Sequence, residues 1–234
     1  RLQQQKAVRV ASVFSHLAGS DEAQFDAFTH EQAHYFQICA EQLQTALNYP
    51  ITKHICNTAG IERFPEYHFD MCRLGIGLYG FSFLSSSTLS GRANYSENRE
   101  NIHSLRNVCT LKTTILSIKT VQAGETIGYG RHTTLSEPRQ IAVIPIGYAD
   151  GFDRRFSNYG GEVLVRGKRC PVVGNVCMDQ AMIDVTGTDA QAGDFVTIFG
   201  DELPIEQLAE QLGTITYEIL TSVSRRVQRV YYYE

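Results

Sequence analysis

The sequence predicts two fold classes in one chain, an α/β segment to about residue 85 and a β-rich domain from about residue 105. Three observations predict this. Apolar strand-like runs flank a long helical stretch in the first third. Short strand-like runs recur at roughly ten-residue spacing in the second half, separated by Gly, Asp or Pro. Between the two, residues 82–104 are rich in Ser, Asn and Gly with little periodicity, which predicts a linker.

Residues 7–14 (AVRVASVF) are apolar and β-branched, predicting a buried strand that ends at Ser15-His16. Residues 22–48 carry Phe25, Phe28, Phe36, Ile38, Leu43 and Leu47 without Pro or Gly, predicting a long helix broken once near Thr29. ITKHICN predicts a second short strand, and residues 60–68 a turn or short helix. FDMCRLGIGLYGF predicts a third buried strand running into a glycine-rich turn. This is about half of a (β/α)8 barrel, whose open strand edge and apolar face predict an oligomer. Beyond the linker, LKTTILSIKTV alternates as one strand and IGYG begins another. IAVIPIGYAD, EVLVRGKRCPVVG, MIDV and DFVTIFG complete a small barrel or sandwich. PIEQLAEQL predicts a helix, and TYEILTSVSRRVQRVYYY a helix followed by extended chain.

The 234 residues are 43% apolar and 20% charged, a globular mix. Net charge is −4 and the pI about 6.0, so no basic surplus exists to displace counterions from nucleic acid. Mean hydropathy is −0.20, and no run of about 18 apolar residues predicts a membrane span. Cys39, Cys56, Cys72, Cys109, Cys170 and Cys177 form no CxxC pair, which predicts free, mostly buried thiols in a reducing cytoplasm and no metal site. The chain opens Arg1-Leu2-Gln3, without Met or a signal-peptide pattern, and reads as a fragment of something longer.

Gly75-Ile-Gly77-Leu-Tyr-Gly80 is a literal GxGxxG. A dinucleotide fingerprint must open a helix, and here Ser- and Asn-rich sequence follows. A glycine turn at a strand end still suits a single phosphate. His16 and His54 each end an apolar strand and Arg73 sits inside one. In isolation, three satisfied polar groups near a core would explain them. In a barrel, strand C-termini line the active site, and three such positions bear His, His and Arg. Tyr148 lies where an apolar strand meets a turn. A phenol, with a usual pKa of about 10, needs a cationic or hydrogen-bonding neighbour to act as a base. Met178-Asp179 lies between two strands, and no G-x-S-x-G supports a serine hydrolase.

VASVFSHLAGSDE, HICNTAGI, FDMCRLGIGLYG, AGETIGYGR, IPIGYADGFDRR, VVGNVCMDQ and TYEILTSVSRRVQRVY together resemble the alanine racemase family, in order and over nearly the whole chain. The resemblance implies the second half of a PLP-binding (β/α)8 barrel followed by a C-terminal β-barrel-like domain. It sets the barrel part at residues 1–88, a linker at 89–104 and the β domain at 105–234. It implies a cytoplasmic, homodimeric isomerase with shared active sites, using pyridoxal 5′-phosphate (PLP) to interconvert L- and D-alanine for cell-wall peptidoglycan.

Tyr148 then matches the base that takes the Cα proton in the partner subunit's site. Arg73 matches the arginine facing the pyridine nitrogen, His54 the histidine behind it, and His16 the histidine lying against the ring and linked to the tyrosine. Thr58, Gly75, Ile76 and Tyr217 match phosphate contacts; Met178 matches the backbone N–H on the substrate carboxylate, with Asp179 beside it. Racemisation needs two bases flanking Cα. A guanidinium does not give up its proton, so the ring nitrogen stays unprotonated and quick reprotonation is favoured over transamination.

Several positions depart from the family pattern. Lys6, Lys53, Lys112, Lys119 and Lys168 all lack the context of the family's Schiff-base lysine, so the resemblance implies a fragment inactive alone. Thr58 replaces Ser, Asn175 stands where Arg is frequent, and Gln228 replaces Pro. A non-catalytic assembly module, and a racemase of serine or longer amino acids, are the alternatives.

Overall fold

The computed structural model describes residues 4, 5, 7–83 and 105–232 and falls into two units, Arg1–Val108 and Cys109–Glu234. The linker expected at 89–104 lies outside the described residues. In the first unit, β1 (Ser12–Phe14) and β2 (Thr52–His54) pair in parallel, with Phe14 opposite His54. A parallel pair needs a crossover connection. Here it is a short 3-10 turn, Ala23–Phe25, leading into α1 (Asp26–Leu47). Its buried residues Thr29, Ala33, Phe36 and Ala40 recur at helical spacing. Ala33, Phe36 and Ala40 pack on Leu17, Ile55 and Cys56. Asn48 closes the helix in the left-handed conformation, φ 58°. Asp26, in its first turn, pairs with Arg63 at 2.6 Å, and Arg63 also donates to the Ser20 carbonyl. After β2, α2 (Thr58–Arg63) starts on Asn57, whose Oδ1 accepts the Gly60 N–H at 2.9 Å.

Four expectations differ from the structure, three in this unit and one that spans both. The strand predicted over 7–14 is reduced to Ser12–Phe14, and it is not buried: Phe14 is 66% exposed. Among the described residues, only β2 pairs with it. The helix is unbroken at Thr29, because that residue faces the core as one member of the apolar stripe. No third strand forms among the described residues of this unit. The segment after Phe69 runs beside β2 through Asp70 N–H to Lys53 O (3.1 Å) and Arg73 N–H to Cys56 O (3.0 Å). The Asp70 carboxylate takes the Lys53 N–H at 2.8 Å in place of a backbone carbonyl, so no ladder develops. Arg73 therefore sits in irregular chain. Finally, only Cys56 and Cys170 of the six free thiols are buried, and Cys39 is exposed on α1.

Among its described residues the second unit contains nine strands: β3 (Leu111–Thr114), β4 (Ser117–Val121), β5 (Thr126–Ile127), β6 (Thr133–Thr134), β7 (Arg139–Ile144), β8 (Glu162–Val165), β9 (Lys168–Val173), β10 (Ala181–Asp184) and β11 (Phe195–Phe199). Seven form an antiparallel sheet ordered β3-β11-β8-β9-β10-β7-β4, and β5 pairs with β6. LKTTILSIKTV is therefore two strands, at opposite ends of that order, with only Ile115 and Leu116 between them. Three Cα steps reach at most about 11 Å. In a flat sheet, six strand spacings would separate the ends by about 29 Å. The sheet must roll until its ends approach. Ile115 N–H bonds to Asp194 O beside β11, and Leu116 N–H to Val143 O in β7, one residue serving each side.

Val163, Val165, Val172, Ile183 and Ile198 fill the rolled interior, while Val173, on the opposite face of β9, packs with Ile127, Leu135 and Ile141. The β8–β9 hairpin turns through Arg166 (φ 49°) and Gly167 (φ 74°), the two positive values of a type I′ turn. The strand expected to begin at IGYG stops at Ile127, because Gly128 (φ 71°) and Gly130 (φ 76°) turn the chain into a 3-10 segment. α3 (Ile205–Leu212) lies where PIEQLAEQL predicts it, and α4 (Thr216–Ser222) precedes the tail. Among the described residues, no helix is long and apolar enough to cross a membrane.

Ile183 is fully buried on β10. Ile183→Ala leaves a cavity and is expected to lower unfolding stability by about 2–5 kcal/mol, read by urea denaturation.

Candidate active site

Parallel register brings the ends of β1 and β2 together, so Phe14 and His54 share a face. Their rings stack at 5.4 Å, 7° between planes. The Arg73 guanidinium lies 5.5 Å from the Phe14 ring centre. Its Nη1 meets His54 Nδ1 at 2.6 Å and His54 O at 3.3 Å. Its Nη2 meets Ser15 O at 2.7 Å, His16 Nδ1 at 3.2 Å and Ile55 O at 3.2 Å. Nε–H has no acceptor among the described residues of the unit.

Arginine only donates, so both imidazoles accept at Nδ1 and carry their proton on Nε2 when neutral. Burial, and then the Arg73 charge, push the His54 pKa below its ordinary 6.5. Burial also lifts the neighbouring Cys56 thiol to about 12, so it is no nucleophile. Gln32 on α1 fixes the loop after β1: its Nε2 donates to His16 O at 2.7 Å and its Oε1 accepts the Ala18 N–H at 3.1 Å.

Beside this cluster, buried Thr58 Oγ1 accepts the Gly75 N–H at 3.0 Å and the Gly77 N–H at 3.2 Å. Two accepted bonds leave the hydroxyl proton free to donate, and it has no acceptor among the described residues. The Ile76 N–H is likewise without one. A Cβ on Gly77 would meet Leu74 Cδ1 at 2.8 Å and Thr58 Cγ2 at 2.9 Å. The GxGxxG run is thus a 3-10 turn, Ile76–Tyr79, folded over a threonine, and no dinucleotide-type helix follows within the described residues. A buried hydroxyl and an unpaired N–H beside a fixed guanidinium suit an anionic group attached to a ring that accepts a hydrogen bond. PLP is such a molecule, and these residues fit it.

In the second unit, Tyr148 begins a 3-10 turn, Tyr148–Asp150, reached from the end of β7 through Pro145, Ile146 and Gly147. The Tyr148 N–H donates to Cys177 O and the Ala149 N–H to Met178 O, both at 3.0 Å. A Cβ on Gly147 would stand 2.3 Å from Cys177 O and 2.4 Å from Met178 O, so glycine is required for this approach. The Asp150 carboxylate accepts the Gly147 N–H at 2.9 Å and the Arg226 Nε–H at 2.7 Å. Arg226 Nη2 reaches Asp179 at 2.5 Å. The Met178 N–H meets no acceptor among the described residues. Tyr217 lies on α4, half-exposed. Asn175 is buried, donating to Tyr129 O at 2.7 Å and accepting from Asn158 at 3.0 Å.

The structure therefore brings His16, His54 and Arg73 into one cluster, and Thr58, Gly75 and Ile76 into another, within the first unit. Tyr148, Met178 and Asp179 meet within the second. Sequence reasoning missed Phe14, Asp150 and Arg226. Only Phe14 carried a usable signal, as the last apolar residue before Ser15-His16. No group of three or more His, Cys, Asp or Glu side chains among the described residues could hold a metal.

The family described as alanine racemase, N-terminal domain, matches residues 1–83, and alanine racemase, C-terminal domain, matches residues 108–231. Alanine racemase 1 of Oceanobacillus iheyensis is 40% identical over 235 residues, covering 97% of this chain and 59% of the relative. The alanine racemase of Methanococcus maripaludis is 36% identical, covering 99% and 60%. The Clostridium difficile alanine racemase in complex with cycloserine superposes with a TM-score of 0.82 at 36% identity, covering 96% of this chain and 57% of that one. The Bartonella henselae alanine racemase, which holds covalently bound pyridoxal phosphate, superposes at 0.78 with 29% identity and the same coverage. The chain thus spans less than two thirds of the length of the relatives it matches. The barrel portion and mostly-β domain expected from the sequence are the fold of these proteins.

The lowered His54 pKa has a signed consequence. Unfolded His54 takes up a proton near 6.5, while the folded residue does so only at lower pH. Its contribution to stability is full above about 6.5 and declines as pH falls from there toward the folded value. Urea unfolding between pH 8 and 5 is expected to show this decline, and His54→Gln to make it shallower.

Proposed function

This chain belongs to the alanine racemase family, and from that premise we propose that it forms the Tyr148-bearing part of a PLP-dependent enzyme interconverting L- and D-alanine. When bound, PLP supplies an electron sink for the Cα–H bond of an amino acid. Arg73 would hold the pyridine nitrogen through its unpaired Nε–H. Since a guanidinium keeps its proton, that nitrogen receives a hydrogen bond and no charge. His54 and His16 hold the guanidinium as Nδ1 acceptors, and by the family resemblance His16 would lie against the ring. Thr58, through its free hydroxyl, and the Ile76 N–H would hold the phosphate by hydrogen bonds, with Gly75 shaping the turn; the family resemblance adds Tyr217 as a phosphate contact.

The Tyr148 phenolic oxygen takes the Cα proton from L-alanine in the partner subunit's site, which makes the assembly a homodimer. The Met178 N–H binds the substrate carboxylate, with Asp179 beside it. A second base must return the proton on the opposite face. Lys53 is the only lysine described in the first unit, and strand alternation directs it away from the face of His54. We infer that the second base, the lysine that holds PLP, lies outside these 234 residues and that they are inactive alone. The six free thiols suit a reducing cytoplasm.

The observation that carries this reading is the Arg73 guanidinium, fixed by two imidazoles and three carbonyls with one N–H left over. The test mixes the chain with the N-terminal segment completing the length of its relatives. Alanine racemisation, followed by circular dichroism, is expected to appear only in the mixture. Tyr148→Phe is expected to cut it at least about 100-fold in the L-to-D direction. Binding of the segment without turnover, or undiminished turnover in the Phe variant, would overturn the reading. The chain alone, treated with PLP and borohydride, is expected to carry no pyridoxyl-lysine by mass spectrometry.

A further inference from the structure

We propose that Arg226 is a positioning residue, locking the turn that carries Tyr148 to the loop that carries Met178 and Asp179, so that proton abstraction and carboxylate binding occur at one fixed spacing. The inference rests on the roles given above to Tyr148 and Met178. Its observation is the fork of one guanidinium across two carboxylates from different loops. Nε–H goes to Asp150 Oδ1 at 2.7 Å and Nη2–H to Asp179 Oδ1 at 2.5 Å.

The two carboxylates differ. The Asp150 side chain is 13% exposed and already anchored, taking the Gly147 N–H on its other oxygen. The Asp179 side chain is 58% exposed and has no other hydrogen bond among those described. An exposed ion pair is ordinarily worth little. Here, however, the pair adds to two backbone bonds between the same loops, Tyr148 N–H to Cys177 O and Ala149 N–H to Met178 O. The tail bearing Arg226 is itself tied to the turn through Ser224 N–H to Asp150 O at 3.0 Å. The guanidinium thus closes a loop of contacts around the proposed base and carboxylate donor. A lysine carries the charge but lacks the planar fork that reaches two acceptors at fixed angles.

Amide hydrogen exchange on the chain by itself tests the lock without cofactor or substrate. Arg226→Ala is expected to speed exchange at the Tyr148 and Ala149 amides at least tenfold, while the Val163 and Val172 amides of the rolled sheet keep their rates. Arg226→Lys is expected to fall between. The double variant Asp179→Asn with Arg226→Ala is expected to be no faster than Arg226→Ala, because both changes break one bridge. Unchanged rates at 148 and 149, a uniform rise across the unit, or an additive effect in the double variant would each overturn the proposal. In the completed enzyme, Arg226→Ala is expected to lower kcat and raise KM for alanine together. A loss of folded protein lowers the maximal rate alone, and that result would overturn it too. Failure of the Tyr148→Phe test would instead strike the racemase reading and leave the exchange result standing.

Discussion

Every group that touches the Arg73 guanidinium must accept a hydrogen bond, because a guanidinium has donors and nothing else. That constraint organises the first unit. It joins the end of β1, the end of β2 and the irregular chain after Phe69 through five contacts, three to carbonyls and two to imidazoles. It also sets the tautomer of both histidines, which sequence could never specify. The same permanent charge disfavours a second cation beside it, which together with burial keeps His54 neutral. Phe14 backs the cluster with an apolar ring, stacked on His54 and lying under the guanidinium. The result is a rigid donor held at the mouth of two parallel strands, where loops carry chemistry in barrels of this type.

The second unit solves a different problem by different means. Its rolled sheet gives a stiff frame, forced into shape by the brevity of the link between β3 and β4. At the end of β7 the frame delivers Tyr148 onto a turn that lies directly against the 177–178 backbone. The closeness comes from glycine at 147, and the orientation from backbone bonds and from the Asp150 cap. In each unit, backbone amides and carbonyls do most of the placing, and in the first unit Arg73 keeps one N–H and Thr58 its hydroxyl proton without an acceptor among the described residues.

Much of this was legible in the sequence where a signal is local. The short strands of the second unit, the PIEQLAEQL helix and the α1 apolar stripe follow from period and turn residues. The family resemblance reached His16, His54, Arg73 and Thr58 because each sits in a distinctive short block. The failures share a cause. The third strand was lost because the Asp70 side chain competes for a ladder amide, and residue identity does not announce that competition. LKTTILSIKTV read as one strand because alternation continues across Ile115 and Leu116, while the sheet order that separates its halves is set when β3 pairs with β11, some 80 residues on, and β4 with the much nearer β7. Arg226 was invisible because its partners lie 76 and 47 positions distant.

The approach of Gly147 to two carbonyl oxygens also bears on how this scaffold could be re-engineered. A methyl group has no room there, so a library that varies the neighbourhood of Tyr148 gains nothing from position 147. Met178, by contrast, is 55% exposed and uses only its backbone in the bonds described. Side-chain diversity belongs at that position, where the loop's path is already dictated by its main chain.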